Sequence, residues 1–272
     1  MAGKERIGFI GTGKMATALA LGLVRAGVFE AGRIAGSDKH PDARKAFATA
    51  VGATEVAENA SLVAQSDIVV LAVKPQNLDE MLKEVGGTFT ADQLVISIAA
   101  GVTTARIEAL LPAGCRVVRA MPNTPMLVGE GAAAVCRGAH ATEDDLATAR
   151  RLFEAAAKVI AVDENLIDAV TAVSGSGPAY FFYFLEALVA GGVAEGLARE
   201  QATELAVQTM RGAAKLLELS DRSAEELRAD VTSPGGTTQA AIESMEAAGV
   251  GRGITAAVAA AAARSRELGA GS

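Results

Sequence analysis

Arg6-Ile7-Gly8-Phe9-Ile10-Gly11-Thr12-Gly13-Lys14-Met15-Ala16 carries a short apolar run, a glycine turn and the start of a helical pattern that continues to Arg25-Ala26-Gly27. Strand, glycine turn and helix form the context in which G-x-G-x-x-G/A signifies a dinucleotide-binding turn. Gly11 serves the tight bend, Gly13 the close approach of a pyrophosphate, and Ala16 the packing of helix on strand. The N–H groups at the head of the helix then face an anion. A plain glycine-rich connection between a strand and a helix is the competing account.

The next strand, Arg33 to Ser37, ends in Ser37-Asp38-Lys39-His40-Pro41, where the adenosine ribose of a bound dinucleotide is expected. An inward Asp38 would bond a free 2′-hydroxyl and repel a 2′-phosphate at a cost of ~3 kcal/mol per unit charge, favouring NAD. Ser37, Lys39 and Arg44 argue for NADP, because together they could bond and neutralise a phosphate; ordinary surface charge also accounts for Lys39 and Arg44. Both cofactors stay open.

Asp67 to Val73, Gln93 to Ala100 and Arg116 to Met121 are further strand-like runs, ending respectively in Lys74-Pro75, Gly101-Val102-Thr103 and Pro122-Asn123-Thr124-Pro125. Continuous apolar runs of this length suit parallel strands buried on both faces. Small or polar residues at the same end of three strands place a ligand edge there, because open parallel sheets bind beyond the carboxyl ends of their strands. Lys74 either faces a cofactor or caps a strand. Gly131 to Cys136 and Lys158 to Val162 are two more strand candidates, separated by a charged helix from Thr142 to Ala156.

After Asp163-Glu164-Asn165 no convincing strand follows. Leu166 to Val173, Tyr180 to Leu197, Glu200 to Leu219, Ala224 to Val231, Thr238 to Ala248 and Gly253 to Leu268 read as helices, several apolar on nearly every face. The expected architecture is α/β: a Rossmann-type dinucleotide-binding domain over residues 1–163, then an all-helical substrate and dimerisation domain over 164–272. The apolar faces imply a partner subunit on an isologous helical interface. Within this half, Ser233-Pro234-Gly235-Gly236 breaks the helical pattern and Thr237-Thr238 begin the next helix, so backbone N–H groups and two hydroxyls converge on a spot suited to a carboxylate. A simple N-cap after a Pro-Gly turn is the alternative.

Composition narrows the class. The chain has 272 residues, 50% apolar, with a net charge of -7. That balance argues against nucleic acid or anionic membrane as principal partner. The N-terminal residues lead straight into the first strand without a signal-peptide core, and no apolar segment is expected to span a bilayer, which together predict a cytoplasmic protein. Cys115 and Cys136, without nearby His or metal-ligand spacing, are expected to be buried free thiols, and no metal is expected.

The chemistry is constrained by what the second half lacks. Between Lys158 and Lys215 there is no lysine, and both histidines, His40 and His140, lie before residue 164, in the first expected domain. A β-hydroxyacid dehydrogenase, which shares this layout, would carry a catalytic lysine near Val173 to Phe182. A protonated imine needs no such acid: it takes hydride from a dihydronicotinamide once oriented and hydrogen-bonded at nitrogen. A reductase of another small imino or hydroxy acid and a non-catalytic nucleotide-binding protein remain as alternatives.

Gly8 to Met15, Ala72-Val73-Lys74-Pro75, Ile98 to Thr103, Met121 to Pro125, Ser174 to Tyr180 and Ser233 to Thr238 together resemble, in order and across nearly the whole chain, the motifs of pyrroline-5-carboxylate reductases. The resemblance implies reduction of 1-pyrroline-5-carboxylate to L-proline with NADPH or NADH, the last step of proline biosynthesis. It implies cofactor contacts at Ile10, Gly11, Thr12, Gly13, Lys14, Met15, Ser37, Asn59, Ala72, Val73, Lys74, Pro75, Ala99 and Ala100, alongside the Asp38 position. Ser233, Gly236, Thr237 and Thr238 would hold the substrate carboxylate, with the catalytic Thr238 hydroxyl also near the ring nitrogen, and Glu164 and Thr171 would line the product pocket. A homodimer through the helical domain, assembled as a pentamer of dimers, is further implied. Asp221 and Asp230 depart from residues common in such relatives, and no role is placed on either.

Overall fold

The structure, a computed structural model, describes residues 5–270. Eight strands form one sheet in the order β3-β2-β1-β4-β5-β6-β7-β8. They are β1 (Ile7–Ile10), β2 (Ile34–Ser37), β3 (Thr54–Glu55), β4 (Ile68–Leu71), β5 (Leu94–Ser97), β6 (Arg116–Pro122), β7 (Gly131–Arg137) and β8 (Ala157–Ala161). Neighbours pair in parallel except β6 and β7.

Alternation along the strands builds two cores. Ile7, Phe9, Ile34, Ile68, Val70, Leu94, Ile96 and Val118 belong to one apolar cluster, while Ile10, Val69, Leu71, Val95 and Val117 belong to another. Successive side chains point to opposite faces, so an unbroken apolar strand buries both of its faces only if helices cover each side. They do. Helices α1 (Lys14–Arg25), α2 (Pro41–Val51) and a long helix Glu143–Glu154 contribute Leu19, Leu23, Phe47, Leu152 and Phe153 to the first cluster. Helices α3 (Asn59–Ala64), α4 (Pro75–Val85) and α5 (Thr104–Glu108) contribute Leu62, Leu78, Leu82 and Ile107 to the second. The Phe9 and Phe47 rings meet at 5.6 Å, each fully buried, and burial of each ring contributes ~1.5–3 kcal/mol.

The rest of the chain is helical: α6 is the Glu143–Glu154 helix, followed by α7 (Ile167–Val170), α8 (Gly177–Ala194), α9 (Arg199–Glu218), α10 (Ala224–Asp230), α11 (Thr237–Ala247) and α12 (Val250–Ala270). Between α7 and α8 the chain makes a π-helical turn, Thr171–Gly175. Two compact units result: the described residues through Ser176 with those from Ala260 onward, and Gly177–Ala259. This division lies beyond the sequence boundary at 163/164 because side chains on the intervening stretch are tied to the sheet unit: Glu164 to Thr104 and Arg119, Asp168 to Ser265, and Ser174 to Asn123.

In the helical unit, Val189, Ala202 and Ala206 form a small core between α8 and α9. Phe181, Phe182, Tyr183, Phe184 and Leu188 of α8 are exposed, Tyr183 by 76%. One helical stretch, Glu164–Ala194, is long and apolar enough to cross a bilayer by length and composition, with a mean hydropathy of 1.3. The sequence reading expected no such segment, and this stretch corrects it as to length and composition. Cys115 and Cys136 are buried free thiols, as expected. Among the described residues no cluster of His, Cys, Asp and Glu could hold a metal.

Candidate active site

Register aligns the carboxyl ends of the parallel strands. Ile10 pairs with Ser37 and Leu71, Leu71 with Ser97, and Ser97 with Arg119. The residues that follow these ends form one rim: Gly11-Thr12-Gly13, Asp38, Ala72 to Pro75, and Ile98 to Ala100. Strand order reverses between β1 and β4, so the crevice for a dinucleotide lies above that pair.

The turn at this crevice is shaped by its glycines. Gly11 has φ +91, and a Cβ there would lie 2.7 Å from the Ala72 carbonyl oxygen. Only glycine fits. Its N–H donates to the Ser37 carbonyl at 2.8 Å, and the Ala72 N–H donates to the Ile10 carbonyl at 2.8 Å. A Cβ at Gly13, by contrast, would have no protein atom within 4 Å. Gly13 is the N-cap of α1, with no side chain capping it. A helix head open in this way admits a pyrophosphate, so these residues fit a dinucleotide.

The sequence left open whether Asp38 points to the ribose; in the structure its side chain meets the glycine turn. Its carboxylate accepts the Thr12 backbone N–H at 2.9 Å, the Thr12 hydroxyl at 3.3 Å and the His40 N–H at 3.0 Å. It braces the glycine turn. Ser37, fully buried, donates its hydroxyl to Asn59 Oδ1 at 2.8 Å, bringing two of the sequence-assigned cofactor residues together. Arg44 is committed to the Asp38 carbonyl at 2.7 Å and to Glu55 at 3.2 Å. Lys74 is the exposed N-cap of α4, with Pro75 in that helix's first turn. Ala99 is buried, and its N–H donates to the Ser97 hydroxyl at 3.3 Å.

Glu164 is held by the sheet unit itself. Oε1 accepts the Thr104 N–H at 2.8 Å and Arg119 Nη1 at 3.1 Å, and Oε2 accepts the Thr104 hydroxyl at 2.6 Å. The nearby Cys136 thiol is pushed up to about 12, by burial first and the Glu164 carboxylate second. Thr171 donates its hydroxyl to the Ile167 carbonyl at 2.8 Å within the helical run.

In the helical unit the Ser233 to Thr238 turn is only partly as expected. The Gly235 N–H donates to Gln239 Oε1 at 2.8 Å, and the Gly236 N–H to the Ser233 carbonyl at 3.0 Å. The expectation that the Pro-Gly-Gly bend offers its own amides is corrected: the protein satisfies both. What remains are the N–H groups and hydroxyls of Thr237 and Thr238 at the head of α11, which have no partner among the described residues. Gly236 leaves room instead, since a Cβ there would meet Ser233 Oγ at 2.9 Å. Gln239, absent from the sequence-assigned site, also donates from Nε2 to Glu243 at 2.7 Å. Its position three residues after the N-cap Gly236, where Gln reaches back to the preceding turn, was the available signal. Asp230 is paired with Arg222, which holds its carboxyl below the usual range by a direct hydrogen bond.

A switch-point glycine turn in a parallel sheet, joined in one chain to a helical unit, defines a nicotinamide-dependent oxidoreductase. Two family models match within it: residues 6–101 match "NADP oxidoreductase coenzyme F420-dependent", and residues 164–268 match "Pyrroline-5-carboxylate reductase dimerisation". The pyrroline-5-carboxylate reductase of Methanosarcina acetivorans is 43% identical over 97% of this chain and 98% of its own length; that of Pisum sativum is 42% identical over 96% and 95%. A solved pyrroline-5-carboxylate reductase from Coxiella burnetii superposes with a TM-score of 0.90 at 37% identity, covering 98% of this chain and 99% of that one. The Plasmodium falciparum enzyme, solved with NADP bound, gives 0.87 at 30% identity over 98% of both. The chain belongs to the pyrroline-5-carboxylate reductase family, and its dimerisation region marks it as a homo-oligomer acting on a small molecule.

Proposed function

We propose that this chain reduces the ring C=N of 1-pyrroline-5-carboxylate to L-proline, taking hydride from NADPH, with NADH as an alternative donor. The observation that carries this is an identity of 43% running through 97% of the chain, so that it covers the dinucleotide turn and the Thr237-Thr238 turn together.

When bound, the dihydronicotinamide supplies a hydride, which with one proton converts the imine to the secondary amine. The chain's own residues bind and orient. Ile10 to Met15, Ser37, Asn59, Ala72 to Pro75 and Ala99-Ala100 hold the dinucleotide, and Asp38 fixes the turn through Thr12. Thr237 and Thr238 offer two amides and two hydroxyls to the carboxylate, with Ser233 and Gly236 shaping the turn; the Thr238 hydroxyl bonds the ring nitrogen. Thr171 lines the product pocket. The Glu164 carboxylate is held within the protein by Thr104 and Arg119. No lysine or histidine is needed, because an iminium is already activated.

Residues 164–272 act as the dimerisation region, and the exposed aromatic face of α8 supports this, since a partner subunit removes it from water. A decamer, as a pentamer of dimers, and a cytoplasmic location without nucleic-acid or membrane partners complete the assignment. Purified protein supplied with NADPH and 1-pyrroline-5-carboxylate should form proline in equal amount to the NADPH consumed. Reduction of a hydroxy-acid precursor but not of the cyclic imine would overturn it.

A further inference from the structure

Strand β5 ends at Ser97, whose register partner on β6 is Arg119. The chain then runs through Ile98-Ala99-Ala100-Gly101-Val102-Thr103 and enters α5 at Thr104. Glu164, in a 3₁₀ turn after β8, joins the exit of that loop to the strand beside its root with one carboxylate. Thr104 is the loop's exit and Arg119 sits on β6 opposite Ser97, where the loop begins; the three bonds to Glu164 span 2.6–3.1 Å. Arg119 and Thr104 are each only 4% exposed and the Glu164 side chain 27%, so the bonds are largely shielded from water and from salt.

We propose that Glu164 is a positioning residue that clamps this loop, and so fixes Ala99 and Ala100 against the dinucleotide, rather than a group that touches substrate. The proposal rests on the cofactor role assigned above to Ala99 and Ala100. A carboxylate is required. It accepts from a buried guanidinium, an amide and a hydroxyl at once, whereas glutamine would offer one acceptor oxygen and turn an NH2 toward a donor. Loosening the clamp leaves the acid-holding threonines untouched, so the cost falls on dinucleotide affinity.

The test uses the full chain carrying Glu164→Gln, Thr104→Val or both. NADPH affinity is titrated without substrate, and KM for 1-pyrroline-5-carboxylate is measured at saturating NADPH. Each single variant is expected to weaken NADPH binding by roughly tenfold, the scale of one charge-assisted bond lost. The double variant is expected to be no worse than Glu164→Gln, because both changes open the same clamp. KM for the imine should stay within about twofold. Unchanged NADPH affinity in both variants, multiplying effects in the double, or a raised imine KM at native NADPH affinity would each overturn the proposal. Should Glu164→Gln fail to fold, Thr104→Val, which keeps the Arg119 pair, decides alone. The titrations need no turnover, so a wild-type protein inactive on the imine would sink the functional reading and leave the clamp still tested.

Discussion

The carboxylate of Asp38 accepts the backbone N–H of Thr12 at 2.9 Å, joining the end of β2 to the middle of the glycine turn. A bond of this kind to a charged acceptor is worth ~1.5–3 kcal/mol. Asp38→Ala should therefore weaken NADPH and NADH alike, by roughly tenfold or more in dissociation constant. Loss confined to NADH would mean that the carboxylate acts mainly on the ribose.

The two glycines of the turn should separate folding from binding. Gly11→Ala places a Cβ 2.7 Å from the Ala72 carbonyl in a left-handed conformation, and should cost about 2 kcal/mol or more in a denaturant melt. Gly13→Ala meets no protein atom and should leave the unfolding midpoint nearly native while dinucleotide affinity falls about tenfold or more. Equal destabilisation by both would remove the reading of Gly13 as a ligand-approach position.

Gln239 caps Gly235 and faces Glu243. Gln239→Glu keeps an acceptor for the Gly235 N–H and adds a negative charge beside the turn proposed to receive an acid. Its KM for the imino acid should rise by roughly five- to tenfold, with NADPH affinity unchanged and the increase shrinking at high salt. A lower KM would show that the acid binds elsewhere.

Burial and the Glu164 carboxylate raise the Cys136 thiol to about 12, against an ordinary value of 9.0. The folded protein keeps this proton where the unfolded chain has lost it, so its contribution to stability is complete below about pH 9 and is lost as pH rises toward about 12. Urea midpoints should fall over that window more steeply for the wild type than for Cys136→Ala. Alkylation of Cys136 at pH near 9 should require denaturant; rapid reaction in the native protein would contradict its burial.

The centre of the sheet was legible in the sequence because β1, β4 and β5 are buried along their whole length and so read as apolar runs. Strand β3 was not: Thr54 and Glu55 are both exposed, and two residues carry no periodicity. The antiparallel turn of β7 was hidden as well, since apolar runs do not encode direction. Glycine spacing pointed to the turn at Gly11 to Gly13, and the family motifs pointed to Thr237-Thr238. Which donors stay available there depended on Gln239 and Ser233 folding back on Gly235 and Gly236. The return of residues beyond Ala260 to the sheet unit rests on the close approach of Gly269 to Gly101 and on the 2.5 Å bond from Ser265 to Asp168, neither of which has a local pattern.

The central claim is an imine reductase whose acid end is held at the head of α11, with the Thr238 hydroxyl on the reacting nitrogen. Steady-state reduction of 1-pyrroline-5-carboxylate by wild type and by Thr238→Ala, with NADPH affinity measured on the same samples, tests it most directly. The account predicts native NADPH binding and a turnover lowered by about five- to a hundredfold, from ~1–3 kcal/mol of lost bonding at the reacting centre. Native turnover in the variant, with cofactor binding equally intact, would contradict it.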